Sequence, residues 1–315
     1  MENNETTQEY TVGNTVSFKM NLTPEQYQVI KEWSLSIPTL YMLDICTVNV
    51  TKLTDTSLES NSHKARVASF LREIDRPANG ISYFFSLMEK VSDSRGIDTN
   101  EELEKKILSD ISALKKFFKK ARVVEPDDFI LAYLNELRRV PVEIKRSDYL
   151  SFLRALNNEF ELYDTVASKD RFSIAVRMIE AAKALDIVRQ HPVVVIGLAC
   201  LYGNRAAKKL MKFKSISERF DPENALADIM MISRFAQFKL EIEHKGRSQS
   251  GYMRAEFLTD DNGLIQILEC FSPTVVKHVD NDEGRETQLT MNVSLEKILT
   301  EISDEEYDEI LSLLS

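Results

Sequence analysis

At 315 residues, with 43% hydrophobic and 29% charged side chains and only nine Gly and eight Pro, the chain has the composition of a compact, helix-rich protein, not a disordered one. Its formal net charge of −10 excludes a surface that coats nucleic acid nonspecifically, while leaving room for a local basic strip. Cys46, Cys200 and Cys270 are odd in number and lack CxxC spacing, which excludes a disulfide framework and a zinc knuckle.

The start, MENNETTQEY, is acidic and polar, unlike a signal peptide, and reads as a frayed end over 1–10. No run approaches about 18 apolar residues, so no membrane segment is expected and the expected location is cytoplasmic. TVSFKMNL, 15–22, alternates as a strand does. Thr23-Pro24-Glu25-Gln26 then combines an N-cap, Pro at the first helical position and a capping-box partner, predicting a helix to about Ser34. YMLDICTVNV, 41–50, is an apolar run of strand composition ending in Asp44. Asp44 has two readings, a cap for the following helix or a ligand at a strand end.

KARVASFLREI, 64–74, has helical periodicity, and GISYFFSLMEKVSD, 80–93, passes from a β-favouring run into a helix carrying Glu89. Residues 100–190 read as successive helices, the first extending through EELEKKILSDISALKKFFKKARVV to 124. VVVIGLACLYGNRAAKKLMKF, 193–213, fits a buried strand or a buried helix, and helix is the favoured reading. Asp221-Pro222-Glu223 starts a helix that carries Asp228 and gives way to a polar loop, HKGRSQSG. YMRAEFLTDDNGLIQIL, 252–268, reads as a strand ending in Thr259-Asp260-Asp261, a turn at Asn262-Gly263 and a short helix. A strand over TVVKHV, 274–279, and an acidic amphipathic helix near SLEKILTEISDEEYDEILSLL complete the chain.

Asp44, Glu89, Asp228 and Asp261 thus stand at strand ends or on helices near them. LYMLDICTVN resembles the opening strand of PIN-domain nucleases, and GISYFFSLMEKV resembles their second strand and Glu-bearing helix. ALADIMMISRFAQ is similar to their third motif, and AEFLTDDNGLIQIL to the strand ending in Thr-x-Asp. The resemblance covers about 40–95 and 220–280. It implies an α/β fold, a PIN-like three-layer α/β/α core from 1–97 and 216–315 with a mostly parallel central sheet, and a large α-helical insertion over 98–215.

The resemblance also implies roles. Asp44 and Asp261 would be the most direct ligands of Mg²⁺ or Mn²⁺, Glu89 would hold a second ion or orient water, and Asp228 would complete the pocket. Thr259 would hydrogen-bond behind them, and Asp260 is an alternative to Asp261. Family members often place Thr-Asn after the first Asp where this chain has Ile45-Cys46, so the contact that orients Asp44 would fall to Thr47 or Asn49. The chemistry agrees: phosphodiester hydrolysis needs an activated water and charge stabilisation, hard cations want oxygen ligands, and clustered carboxylates repel without one.

Arg205, Lys208, Lys209 and Lys212 recur at helical spacing and would put one basic face along a phosphate backbone; Lys115, Lys116, Lys119 and Lys120 form a second cluster. The expected substrate is RNA or a single strand, and a regulatory protein or self-association would involve the helical insertion. The alternative is a PIN-like interaction module without catalysis, docking a partner through its helical region and acidic C-terminal helix. An all-helical protein is the third reading.

Overall fold

The structure is a computed structural model, and it describes residues 8–12, 15–19, 21–93, 98–139, 143–248, 251–281 and 284–315. The chain divides into two units, Met1–Pro38 and Thr39–Ser315. In the first, β1 (Gln8–Val12) pairs antiparallel with β2 (Thr15–Lys19), and α1 (Pro24–Ser36) follows. The strand β1 takes up part of the stretch expected to be frayed, whose residues 1–7 lie outside the described residues. The predicted capping box is present: the Thr23 hydroxyl accepts from the Gln26 N–H at 3.2 Å and the Gln26 side chain accepts from the Thr23 N–H at 2.9 Å.

The second unit opens with β3 (Thr39–Leu43), α2 (Ile45–Val50), α3 (Asp55–Glu59), α4 (Ser62–Glu73), β4 (Gly80–Ser82) and α5 (Phe84–Asp93). It continues through α6 (Asn100–Phe117), β5 (Arg122–Val123), α7 (Asp127–Arg139), α8 (Arg146–Asn158), α9 (Ser168–Ala184), α10 (Pro192–Leu201) and α11 (Arg205–Met211). Last come α12 (Pro222–Ser248), β6 (Arg254–Leu258), α13 (Asn262–Leu268), the hairpin β7 (Phe271–Asn281) and β8 (Gly284–Val293), α14 (Leu295–Ile298) and α15 (Asp304–Leu314).

The fold is α/β and mostly helical, around a four-stranded sheet of order β5-β4-β3-β6 in which every pair is parallel. That excludes the all-helical reading. All five residues of β3 are buried, as expected for a strand in a parallel sheet with both faces covered. From β3 the chain steps outward to β4 and β5, then crosses back to lay β6 on the other side of β3. The reversal makes the carboxyl ends of β3 and β6 the switch point of the sheet, where such folds open a crevice for ligands.

Two boundaries differ from the sequence reading for identifiable reasons. The helix expected to run to 124 stops at Phe117, because the Asp75 carboxylate accepts from the N–H groups of Lys119, Lys120 and Ala121 at 3.0, 2.8 and 2.7 Å. Those donors are withdrawn from a further helical turn, and the chain emerges as β5 beside β4. Residues expected within the helical insertion of 98–215 therefore supply an edge of the sheet. The loop expected at HKGRSQSG is helical through Ser248, and residues 249–250 lie outside the described residues.

The helical region shares one core with the sheet, joining Leu40 and Met42 of β3 and Phe85 of α5 to Leu156 of α8, Ile196 of α10 and Ile229 of α12. In α10 every residue from Val193 to Leu201 is buried, which is why its sequence shows no polar face. Gly203 ends α10 at φ +77°, where a Cβ would lie 2.3 Å from the Glu301 carboxylate carbon. The C-terminal segment forms two short helices; Ile310 and Leu314 of α15 are buried and α15 packs on α9, so its apolar face is covered within the chain. Among the described residues no helix is long and apolar enough to cross a membrane.

Candidate functional site

Leu43 of β3 is in register with Leu258 of β6, so Asp44 and Thr259 leave the sheet side by side. The Asp44 N–H donates to the Leu258 carbonyl at 3.0 Å, continuing the ladder one residue past the strand. Asp44 then caps α2, its carboxylate accepting from the Thr47 N–H at 2.6 Å. Of its two readings the structure shows the cap, formed by a residue that stands at a strand end. Asp261 repeats the arrangement after β6: it caps α13 by accepting from Gly263 N–H at 2.7 Å and Leu264 N–H at 3.2 Å. Asn262-Gly263 is thus the first turn of a helix and not a separate turn.

Glu89 reaches the same place from α5, where its carboxylate accepts from the Ile45 N–H at 3.1 Å. Its neighbour Lys90 is directed instead to the buried Asp110, which also pairs with Lys52. Asp228 comes from α12 and meets Lys212 at 3.1 Å. Thr259 links the two capping acids, since its hydroxyl accepts from the Asp261 N–H at 3.0 Å and hydrogen-bonds Asp44.

The electrostatics record the crowding. Burial raises the Asp44 carboxyl above its ordinary range against hydrogen bonds from Thr259, Thr47 and the Asp260 backbone. Asp228 is raised by burial, opposed by Lys212 and reinforced by the charges of Asp261 and Asp44. The Cys46 thiol, between them on α2, is pushed up to about 11 by burial and by Asp44, Glu89, Asp260 and Asp261 together.

Other expected residues fall differently. Thr47 orients Asp44, whereas Asn49 is exposed and accepts from Lys52 at 3.0 Å, outside the cluster. Asp260 turns to His63 at the start of α4, a partner 197 positions away that no local signal in the sequence announces. The basic face is only partly a helical face. Arg205, Lys208 and Lys209 lie on α11, but Lys212 is its left-handed cap at φ 55°. Lys209 stands 3.8 Å from Asp261 and Lys212 pairs with Asp228, so two of the four cations neutralise the acids, while Lys208 donates to the Asp164 carbonyl. The second cluster is split: Lys115 pairs with Asp127 at 2.8 Å, and Lys119 and Lys120 lie beyond the end of α6.

For Mg²⁺ or Mn²⁺ the residues fit in donor type and in charge, since the cluster is built from hard carboxylate oxygens whose mutual repulsion a cation would relieve. They are not closed around an ion: among the described residues no three His, Cys, Asp or Glu side chains form a group that could hold one. Lys209 and Lys212 serve as the counter-charges. Compared with known proteins, the chain matches no family model, no curated protein and no solved structure.

Proposed function

We propose that this chain is a cytoplasmic metal-dependent nuclease of PIN-like type, with a three-layer α/β/α core, that hydrolyses phosphodiester bonds in RNA. The observation that supports this reading is that Asp44 and Asp261, tied through Thr259, leave β3 and β6 at the switch point of a parallel sheet, with Glu89 on the Ile45 N–H beside Asp44 and Asp228 near enough for the charges of Asp261 and Asp44 to act on it. Each acid also has a structural use, the two caps, the Glu89 acceptor for the Ile45 N–H and the Lys212–Asp228 pair, yet the charges of Asp261 and Asp44 still raise Asp228, a repulsion that a cation would relieve.

In this reading Asp44 and Asp261 are the principal ligands, Glu89 holds a second ion or orients the attacking water, and Asp228 completes the set. A bound Mg²⁺ or Mn²⁺ would supply an activated water and charge stabilisation at the phosphoryl group. The chain's own part is to fix the donors: Thr47 and Thr259 hold the Asp44 carboxylate, and Asp261 is held by the first N–H groups of α13. Lys209 and Lys212, both partly exposed, keep the acids paired and are placed to exchange them for an ion and a phosphate. The test is cleavage of a labelled pool of RNA and single-stranded DNA in Mn²⁺. RNA cut by the wild type and left intact by Asp44→Asn with Asp261→Asn supports the proposal; an intact pool with wild type sinks it.

The lysine pairings favour one second reading, an interaction module of the same fold in which the acids are permanently neutralised and the helical region binds a regulatory protein or a second copy. Retained pairing of Lys212 with Asp228 in millimolar Mg²⁺, seen by NMR of the lysine ammonium groups, would select it.

A further inference from the structure

The helices α11 and α13 pack side by side and run in opposite directions, since Lys209 faces Asp261 at one end and Arg205 shares a cavity with Gln266 at the other. That cavity, of about 410 Å³, is lined by Arg205, Gln266, Cys270, Lys297, Thr300 and Glu301, among others. Its one carboxylate is already committed, because Glu301 receives the nearly buried Arg171 guanidinium at 2.6 Å. Arg205 and Lys297 have no acidic partner among the described residues, which leaves two exposed cations facing one hollow in a chain of net charge −10. A concave site with convergent cations, an amide and a hydroxyl takes an anion with hydrogen-bonding oxygens.

The cavity also has a position relative to the acids. From Arg205 to Lys209, which faces Asp261, is about 6 Å along α11 at about 1.5 Å per residue, and from Gln266 back to Asp261 is about 7.5 Å along α13. A stacked single strand advances about 3.4 Å per nucleotide, so the separation corresponds to about two nucleotides.

We propose that Arg205 and Lys297 seat a phosphate of a single-stranded nucleic acid about two nucleotides from the bond placed at the acidic cluster. This rests on the nuclease reading and adds to it the path of the strand, which runs along α11 from the cavity past Lys209 to Lys212. The cavity anchors the strand and does not take part in the chemistry. Arg205 and Lys297 act through binding, so their removal changes KM and leaves kcat near the wild-type value.

The experiment measures the affinity of a labelled single-stranded RNA of about 12 nucleotides by fluorescence anisotropy over a range of salt, beside cleavage of the same RNA in Mn²⁺. The wild type is compared with R205Q/K297Q and with D44N/D261N, and circular dichroism checks that each variant is folded. R205Q/K297Q is expected to bind at least about 10-fold more weakly, with a salt slope shallower by about 0.7 for each phosphate no longer neutralised, while D44N/D261N still binds. Unchanged affinity and slope in R205Q/K297Q, or no binding by the wild type, overturns the phosphate seat. A wild type that binds through Arg205 and Lys297 but cuts nothing overturns the nuclease reading and leaves the seat standing. Normal cleavage with unchanged binding in R205Q/K297Q does the reverse.

Discussion

A carboxylate that caps a helix from the end of a buried strand is held in two frames at once. Asp44 is 7% exposed, and its hydrogen bonds do not fully offset the penalty of burying its charge, since its pKa stands above the ordinary value. An acid whose folded pKa exceeds its unfolded one weakens the fold at neutral pH, and the loss is recovered as pH falls through the folded value. Asn caps a helix as well as Asp does and carries no charge. Asp44→Asn is therefore expected to melt about 1–2 °C above the wild type at pH 7 without divalent metal, the shift that about 1 kcal/mol gives in a chain of 315 residues. Scanning calorimetry measures it, and a lower melting temperature would show that the charge of Asp44 stabilises the fold. The four acids, with Thr259, are legible in the sequence because each sits beside a strand or helix signal of its own. His63 and the pairing role of Lys212 are not, since their partners Asp260 and Asp228 come from elements that meet them only in the folded chain.

Among the elements, β5 and the end of α6 depend on one side chain. Burial raises the pKa of Asp75, but the N–H groups of Ala121, Lys119 and Lys120 and the charge of Lys120 outweigh it, and the carboxyl is held below its usual value. A depressed folded pKa contributes stability that is present above the unfolded value of about 3.9 and disappears as pH falls through the folded one. Asp75→Ala is expected to cost about 1–2 kcal/mol at pH 7, a discounted figure because the carboxylate is largely solvated. The deficit should vanish in urea titrations carried below the folded pKa. A constant deficit at all pH would place the effect in packing and not in charge. The same residue explains why the sequence misleads here: Phe117, Phe118 and Ala121 continue a helical pattern, and only a carboxylate more than 40 positions upstream diverts the backbone. Helices whose caps are local, such as α1 and α6 with their capping boxes, start where their sequences indicate.

For the whole molecule, the sheet order is what sets Asp44 and Asp261 beside each other. Strand composition indicates β3, β4 and β6 but not their order, which follows from long-range pairing between β3 and β6 across most of the chain. Once β6 lies against β3, their following residues are forced together, and α5 and α12, packed across the sheet, add Glu89 and Asp228. A core continuous from β3 to α10 and α12 fixes these elements to one another, so the site is carried by a rigid scaffold. The uneven charge of the molecule fits the same division of labour, with carboxylates gathered at the switch point and cations along α11 beside them.

The most direct measurement is isothermal titration of Mn²⁺ into the wild type and into Asp44→Asn with Asp261→Asn at pH 7. Saturable binding by the wild type at sub-millimolar to millimolar Mn²⁺, abolished in the double variant, is the expected result. A wild type that takes up no Mn²⁺ at millimolar concentration would contradict the nuclease and leave Lys209 and Lys212 as the lasting partners of the acids.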